Sequence, residues 1–175
     1  ELKSQGITSL ITDLRNNGGG LVDQALQIAD YIVPKGKDLL VTVDKDKNEK
    51  IEKSKEDVLI DMPIVVLVNE NSASSSEILA GALKDLNEAT IVGTTTYGKG
   101  KVQQTKKLSD GSLVKYTTSR WLTPNNECID EYGISPEYGV EIEYQYDDAE
   151  NIIGYTDTQL AKARSILGLP EYDEN

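Results

Sequence analysis

The residues Ile7-Thr8-Ser9-Leu10-Ile11-Thr12-Asp13-Leu14 have the length and branched apolar make-up of a core strand, and Arg15-Asn16-Asn17-Gly18-Gly19-Gly20 must turn after it. From Leu21 to Val33, apolar Leu21, Val22, Ala25, Leu26, Ala29, Ile32 and Val33 recur at helical spacing, and Pro34 and Gly36 stop the helix. Leu39 to Val43 reads as a short strand. The Lys-, Asp- and Glu-dominated run 44–57, with Ile51 as its only apolar residue, reads as an exposed hairpin or solvated excursion. Ile64 to Val68 is apolar throughout, as in a strand covered on both faces. A loop at 69–76 leads to a second helix marked by Ile78, Leu79, Ala82, Leu83 and Leu86, where Ala80 and Gly81 allow close approach to a neighbour. Thr90-Ile91-Val92 is a short strand before the Gly93 to Gly100 loop. Strand-like runs near Val102–Leu108 and Leu113–Leu122 are joined by Asp110-Gly111, a strong hairpin signal. An acidic stretch, Glu141 to Glu150, and a helix from Asp157 to Leu167 close the chain.

Strand, turn and helix occur twice, with a glycine-rich turn the first time, before a β-rich segment, which predicts an α/β domain of strands stacked between helices. The 175 residues suit one domain, 1–175, with 141–175 as its acidic segment and C-terminal helix. Glu1 to Gly6 reads as the tail of a helix ending at glycine, so the chain is expected to begin inside a longer protein. A leader missing from this stretch then says nothing about secretion.

Composition narrows the chemistry. A net charge of -12, from 18 basic and 30 acidic residues, disfavours a surface built for nucleic acid or an anionic bilayer, although a local basic patch remains compatible with it. No apolar run is long enough to insert in a membrane. The chain has no histidine and one cysteine, Cys128. Ser-His-Asp and Cys-His centres are therefore excluded within it, as are multi-cysteine metal sites. A hydrolase built here uses Lys, Asp, Glu or Tyr as base. Asp44, Asp46 and Asn48 copy the opening of an EF-hand loop, but Glu49 replaces its glycine and Lys55 its closing Glu, which leaves a solvated face.

Three segments could carry chemistry. Three glycines at a strand-to-helix junction free backbone N–H groups at Gly18, Gly19 and Gly20 for an anion or oxyanion, although an isolated triple glycine is more often only a turn. Asn71-Ser72-Ala73-Ser74-Ser75-Ser76-Glu77 places small hydroxylated residues at a second such junction, which suits a nucleophile. Ser74 to Glu77 also satisfies a capping box, and residue chemistry alone does not choose among Ser72, Ser74, Ser75 and Ser76. In Tyr97-Gly98-Lys99-Gly100-Lys101, an inward and desolvated Lys99 would be a usable base, with Lys101 as its control. Lys99 and Gln103 share strand parity, but their α-carbons lie about 13 Å apart in a straight strand, so they meet only if the chain bends at Gly100.

Together these segments resemble the carboxy-terminal processing, or tail-specific, serine proteases with a Ser-Lys centre. The resemblance rests on Asp13 to Gly20, Ser72 to Ala82, Tyr97-Gly98-Lys99-Gly100 with Gln103, and Leu122-Thr123-Pro124-Asn125 followed by Gly133-Ile134-Ser135-Pro136, in the family's order. It implies a crotonase/Clp-protease-like α/β core with a β-rich C-terminal segment. It further implies Ser74 as nucleophile, Lys99 as general base, Gln103 as the residue that orients the lysine, and an oxyanion hole from the N–H of Ser75 and of Gly19 or Gly20. Substrates would be proteins or peptides cut near their C-termini, in the cell envelope or outside the cell, with no cofactor or metal expected and a homo-oligomer or an activating partner compatible with the fold. Two departures stand out: Thr94-Thr95 replace the usual Glu-Pro, and Pro136-Glu137 the usual Pro-Asp. The family's amino-terminal helical part and PDZ domain would precede this stretch. A silent peptide-binding module of the same fold, or a crotonase-like acyl-transfer enzyme, are the competing expectations.

Overall fold

Five consecutive side chains, Ile64 to Val68, are buried, and the architecture is arranged to cover them. The computed structural model describes residues 2–170. Its elements are β1 (Leu10–Asp13), α1 (Val22–Asp30), β2 (Asp38–Asp44), β3 (Glu49–Lys53), β4 (Ile64–Val68), α2 (Ser75–Asp85), β5 (Thr90–Gly93), β6 (Lys101–Lys107), β7 (Leu113–Leu122), β8 (Tyr138–Gly139), β9 (Glu143–Tyr146), β10 (Ile152–Thr156) and α3 (Thr158–Ile166). A parallel sheet runs β1-β4-β5-β8, an antiparallel sheet β3-β2-β7-β6, and β9 pairs with β10 alone.

One face of the parallel sheet, through Ile64, Val66, Val68 and Ile91, packs on Ala25 and Ala29 of α1 and Leu79, Ala80 and Leu83 of α2. The other, through Val65, Leu67 and Val92, packs on Ala163 of α3. Alternate side chains thus enter two different cores, and each buried Val or Leu contributes about 1.5–3 kcal/mol. Helix α2 also meets the second sheet, where Ile78 joins Leu40, Trp121, Ile129 and Ile134. Its residues Ser75 to Leu83 are buried without a break. At Gly81 an added Cβ would stand 3.2 Å from both Ile134 and Thr123, the close approach its sequence suggests.

The predicted first strand starts late, at Leu10 rather than Ile7. Leu10 pairs with Ile64, and its N–H donates to the carbonyl of Pro63, a residue with no N–H to continue the ladder backwards. Helix α1 ends at Asp30 although the apolar spacing runs to Val33, because Pro34 cannot donate to the Asp30 carbonyl and disfavours helix at the residue before it. Ile32 and Val33 are buried all the same. The 44–57 run is the exposed β2–β3 hairpin expected of it. Within it Asp44 accepts from the N–H groups of Asp46 and Asn48, a turn closed by a side chain, and no grouping fit for a metal ion occurs among the described residues. The acidic stretch contains an unforeseen strand, β9, half of a hairpin whose turn is closed by Asp147 accepting from Ala149 and Asn151.

Arg15 fastens α3 to the turn after β1. Its guanidinium makes a fork to Asp157 at 2.8 and 2.9 Å, binds Asp13 at 2.7 Å and reaches Gln159 at 3.2 Å. Asp157 caps α3 by accepting from Leu160 N–H at 2.9 Å. Burial alone pushes the Asp157 carboxyl up, but the Arg15 bond and the Leu160 N–H outweigh it and hold the pKa below the ordinary value. The unfolded chain therefore takes up this proton at higher pH than the folded one. The stabilisation is present above the ordinary carboxylate pKa of about 3.9 and is lost as pH falls through the lower folded value. We expect Asp157→Asn to cost roughly 1–3 kcal/mol near neutrality and to flatten the acid limb of the stability profile in urea titrations. An unchanged acid limb would show that the fork does not carry it.

Candidate active site

The start of α2 is the centre of the site. Ser74, its N-cap, is half-buried and adopts φ 59° and ψ −118°, a left-handed conformation that few non-glycine residues accept. The predicted S-x-x-E box is present: Ser74 N–H donates to Glu77 Oε2 at 2.8 Å. The reciprocal approach of Glu77 N–H to the Ser74 side chain falls short of full hydrogen-bond geometry, and that N–H donates to the Ser74 carbonyl at 2.9 Å. Two of the other serines left open by the sequence are occupied. The Ser72 hydroxyl donates to the Leu14 carbonyl at 2.7 Å, and Ser75 Oγ accepts from Gly20 N–H at 2.7 Å.

Glu77, fully buried, joins the nucleophile candidate to the base candidate. Its Oε2 accepts from the N–H of Ser74 and, at 2.9 Å, from the N–H of Lys99. Its Oε1 accepts from Thr96 Oγ1 at 2.6 Å and Gly98 N–H at 2.7 Å. Four donors on two oxygens suit a carboxylate, which only accepts. One side chain thus fixes where two loops, distant in sequence, present Ser74 and Lys99. The sequence shows Glu77 only as a cap residue. Its longer reach has no local signal.

The 97–100 loop is gripped from its other side as well. Lys99 carbonyl accepts from Trp121 Nε1 at 2.9 Å, Gly100 N–H donates to Asp130 at 3.3 Å, and Gly98 carbonyl accepts from Glu131 N–H at 2.9 Å. Gly98 has φ 85°, and a Cβ on Gly100 would sit 2.8 Å from Asp130, so the loop needs both glycines. The Lys99 side chain itself is exposed, not held inward as its sequence setting suggests, because the loop is anchored through its backbone alone. Lys101 separates cleanly from it. Its amine lies 3.3 Å from Asp130 and 3.4 Å from Glu131, and these carboxylates raise its pKa and keep it charged. Lys99 has no carboxylate partner among the described residues. Gln103, exposed on β6, pairs with Thr117 just past a register shift between Val102 and Gln103, the irregularity falling two residues beyond Gly100. Among the described residues no hydrogen bond links the Ser74 hydroxyl, the Lys99 amine and Gln103 directly.

The glycine turn packs onto the same helix start. A Cβ on Gly19, whose φ is 90°, would meet Ala73 O at 2.5 Å and Ser75 N at 2.9 Å. Gly19 N–H donates to Asn17 Oδ1 at 3.0 Å, whereas Gly20 N–H points across to Ser75 Oγ. Ser75 N–H, first in α2, has no acceptor one turn earlier in the helix. A cavity of about 660 Å³ over the carboxyl ends of β1 and β4 touches this turn through Arg15 and Asn16 and the loop before α2 through Asn71, but is not lined by Ser74 or Lys99.

A serine at positive φ on a strand-to-helix junction, with backbone N–H groups beside it, is an arrangement that α/β hydrolases use. The model of Peptidase family S41 matches residues 1–140, and the chain belongs to that family. A probable CtpA-like serine protease of Staphylococcus aureus is 45% identical over 139 residues, which cover 78% of this chain and 28% of that protein. A Staphylococcus epidermidis relative of the same name matches with the same identity and coverage. Among solved structures, the photosystem II D1 C-terminal processing protease superposes with TM-score 0.76 at 40% identity, covering 80% of this chain and 36% of that one. A lipoprotein of Streptococcus agalactiae superposes with TM-score 0.70 at 25% identity over 92% of this chain and 54% of that one. The chain therefore spans just over a quarter of the length of the curated relatives. No described helix is long and apolar enough to cross a membrane.

Proposed function

We propose that the chain is the catalytic core of a serine endopeptidase that cuts polypeptides near their C-termini, with Ser74 as nucleophile, Lys99 as general base and Gln103 orienting the lysine. The observation that carries the reading is the Glu77 carboxylate, which binds the backbone N–H groups of Ser74 and Lys99 through one oxygen. Neutral Lys99 takes the Ser74 proton as Oγ attacks the scissile carbonyl. The tetrahedral oxyanion accepts from Ser75 N–H and Gly20 N–H. Lys99 then gives the proton to the departing amine, and water resolves the acyl-enzyme by the same route. Because the Lys99 side chain is exposed here, its dehydration on this reading is supplied when substrate covers the loop. The lipoprotein and D1-processing neighbours support a setting in the cell envelope or outside the cell.

That no hydrogen bond among the described residues joins the Ser74 hydroxyl to the Lys99 amine favours a second reading, a peptide-binding module without turnover. A fluorophosphonate probe separates the two. We expect the whole protein carrying this chain to be labelled at Ser74, with labelling lost in Ser74→Ala. Absence of labelling in a folded protein that still binds peptide would establish the silent module.

Ser75 adds a finer expectation. Its hydroxyl occupies Gly20 N–H, so an oxyanion must displace it. Ser75→Ala gives up a tether of about 1 kcal/mol and leaves that donor free. We expect a slightly lower Tm and kcat/KM raised by about fivefold, the equivalent of one such bond. A fall in kcat/KM would sink the assignment of Gly20.

A further inference from the structure

The charge of this acidic chain is unevenly distributed. Residues 99–120 hold six of its 18 basic residues, Lys99, Lys101, Lys106, Lys107, Lys115 and Arg120, and only Asp110 of its 30 acidic ones. These residues form the hairpin of β6 and β7, exposed along nearly its whole length. Among the described residues β6 has a neighbour on one side only, so its outer edge presents unpaired backbone N–H and C=O groups. That edge leaves the Lys99 loop directly. Lysines and a register shift on an edge strand also discourage unwanted strand pairing, and this would account for the charge alone. It does not account for Leu108, Leu113, Val114 and Tyr116, exposed between 42% and 66% on the same hairpin.

We propose that the outer edge of β6 is a docking site for an extended, acidic polypeptide segment, added as a further strand and drawn in by Lys106, Lys107 and Lys115. Lys101 is already paired with Asp130 and Glu131 and is not counted. Register on the hairpin puts Lys107 and Lys115 on one face and Lys106 with Tyr116 on the other. An added strand would therefore meet a cation on each face, and acidic side chains suit both. A strand edge needs a backbone partner, which a polypeptide supplies and a lipid surface does not. Where the segment is a substrate, its delivery to Ser74 rests on the peptidase reading. The docking itself does not.

The test measures binding by fluorescence anisotropy, using the whole protein carrying this chain with Ser74→Ala so that nothing is cleaved. The probes are a labelled Glu-Val/Thr alternating peptide, its Lys-for-Glu counterpart, and the acidic peptide N-methylated at alternate residues. We expect the acidic peptide to bind at least tenfold tighter than the basic one. N-methylation should lose most of that affinity, and Lys106→Glu/Lys107→Glu/Lys115→Glu should weaken acidic-peptide binding at least tenfold with the circular dichroism unchanged. Equal affinity for acidic and basic peptides, or unchanged binding in the triple variant, overturns the proposal. So does hairpin-dependent binding confined to phosphatidylglycerol vesicles, or self-association that the triple variant abolishes while peptide binding is absent. Loss of cleavage in the Ser74 enzyme with docking intact would refute the peptidase reading and leave this one standing.

Discussion

Ser74→Ala and Lys99→Ala are each expected to reduce peptide cleavage by the whole protein on the order of 10⁴-fold or more while leaving the fold intact. The size follows from the proposed roles. On that reading no acyl-enzyme forms without Oγ, and without the amine the hydroxyl keeps its proton, so either deletion removes the covalent route and the double variant should be no worse than the single ones. The fold tolerates both changes. Among the described residues the Ser74 hydroxyl is approached only by Glu77 N–H, short of full hydrogen-bond geometry, and the Lys99 side chain is exposed while its backbone holds the loop. Lys101→Ala is the control, since its amine serves Asp130 and Glu131. Single-turnover kinetics on a fluorogenic peptide would decide it. Cleavage persisting at more than a few per cent in Lys99→Ala would end the Ser-Lys assignment.

Glu77→Gln should be nearly as harmful by a different route. The amide keeps the shape but puts a donor where the carboxylate accepted, so one of two oxygens no longer satisfies its pair of donors. Leaving buried N–H groups unpaired costs about 1–3 kcal/mol each, and two are at stake. We expect a stability loss of roughly 2–5 kcal/mol and a fall in kcat of at least a hundredfold, since small misplacement of reacting groups is punished that heavily. On the proposed reading Glu77 positions the reacting groups and does not touch substrate. KM should therefore change much less than kcat, and fluorophosphonate labelling of Ser74 should slow in the still-folded fraction. Equal losses in labelling and in folded population would reduce Glu77 to a purely structural residue.

Much of the fold was legible in the sequence. Ile64 to Val68 is apolar on both faces because helices cover both, and the Asp110-Gly111 turn sits between two runs that pair throughout. The hairpin of β9 and β10 was hidden because Glu143, Asp147, Asp148 and Glu150 dominate its composition, although Tyr144 and Tyr146 alternate as strand residues do. Its two strands are almost wholly exposed, so no buried stripe marks them. At the site, residue types leave four serines open, and only the family resemblance implies Ser74, Lys99 and Gln103. What ties the first two together could not be read, because the bonds of Glu77 to Thr96, Gly98 and Lys99 span 19 to 22 residues. Arg15 likewise reaches 142 residues to Asp157, outside the part of the chain that the family model covers.

The left-handed backbone at Ser74 bears on how this chain can change over time. A serine held at φ 59° stores strain on the order of 1–3 kcal/mol, which glycine would not feel. If Ser74 is the nucleophile, as proposed, inactivation by a single change to glycine is therefore downhill for folding. Any lineage freed from the need to cut peptides would drift toward a sturdier, silent copy of the same domain, and persistence of a serine here is a mark of continued demand for the hydroxyl.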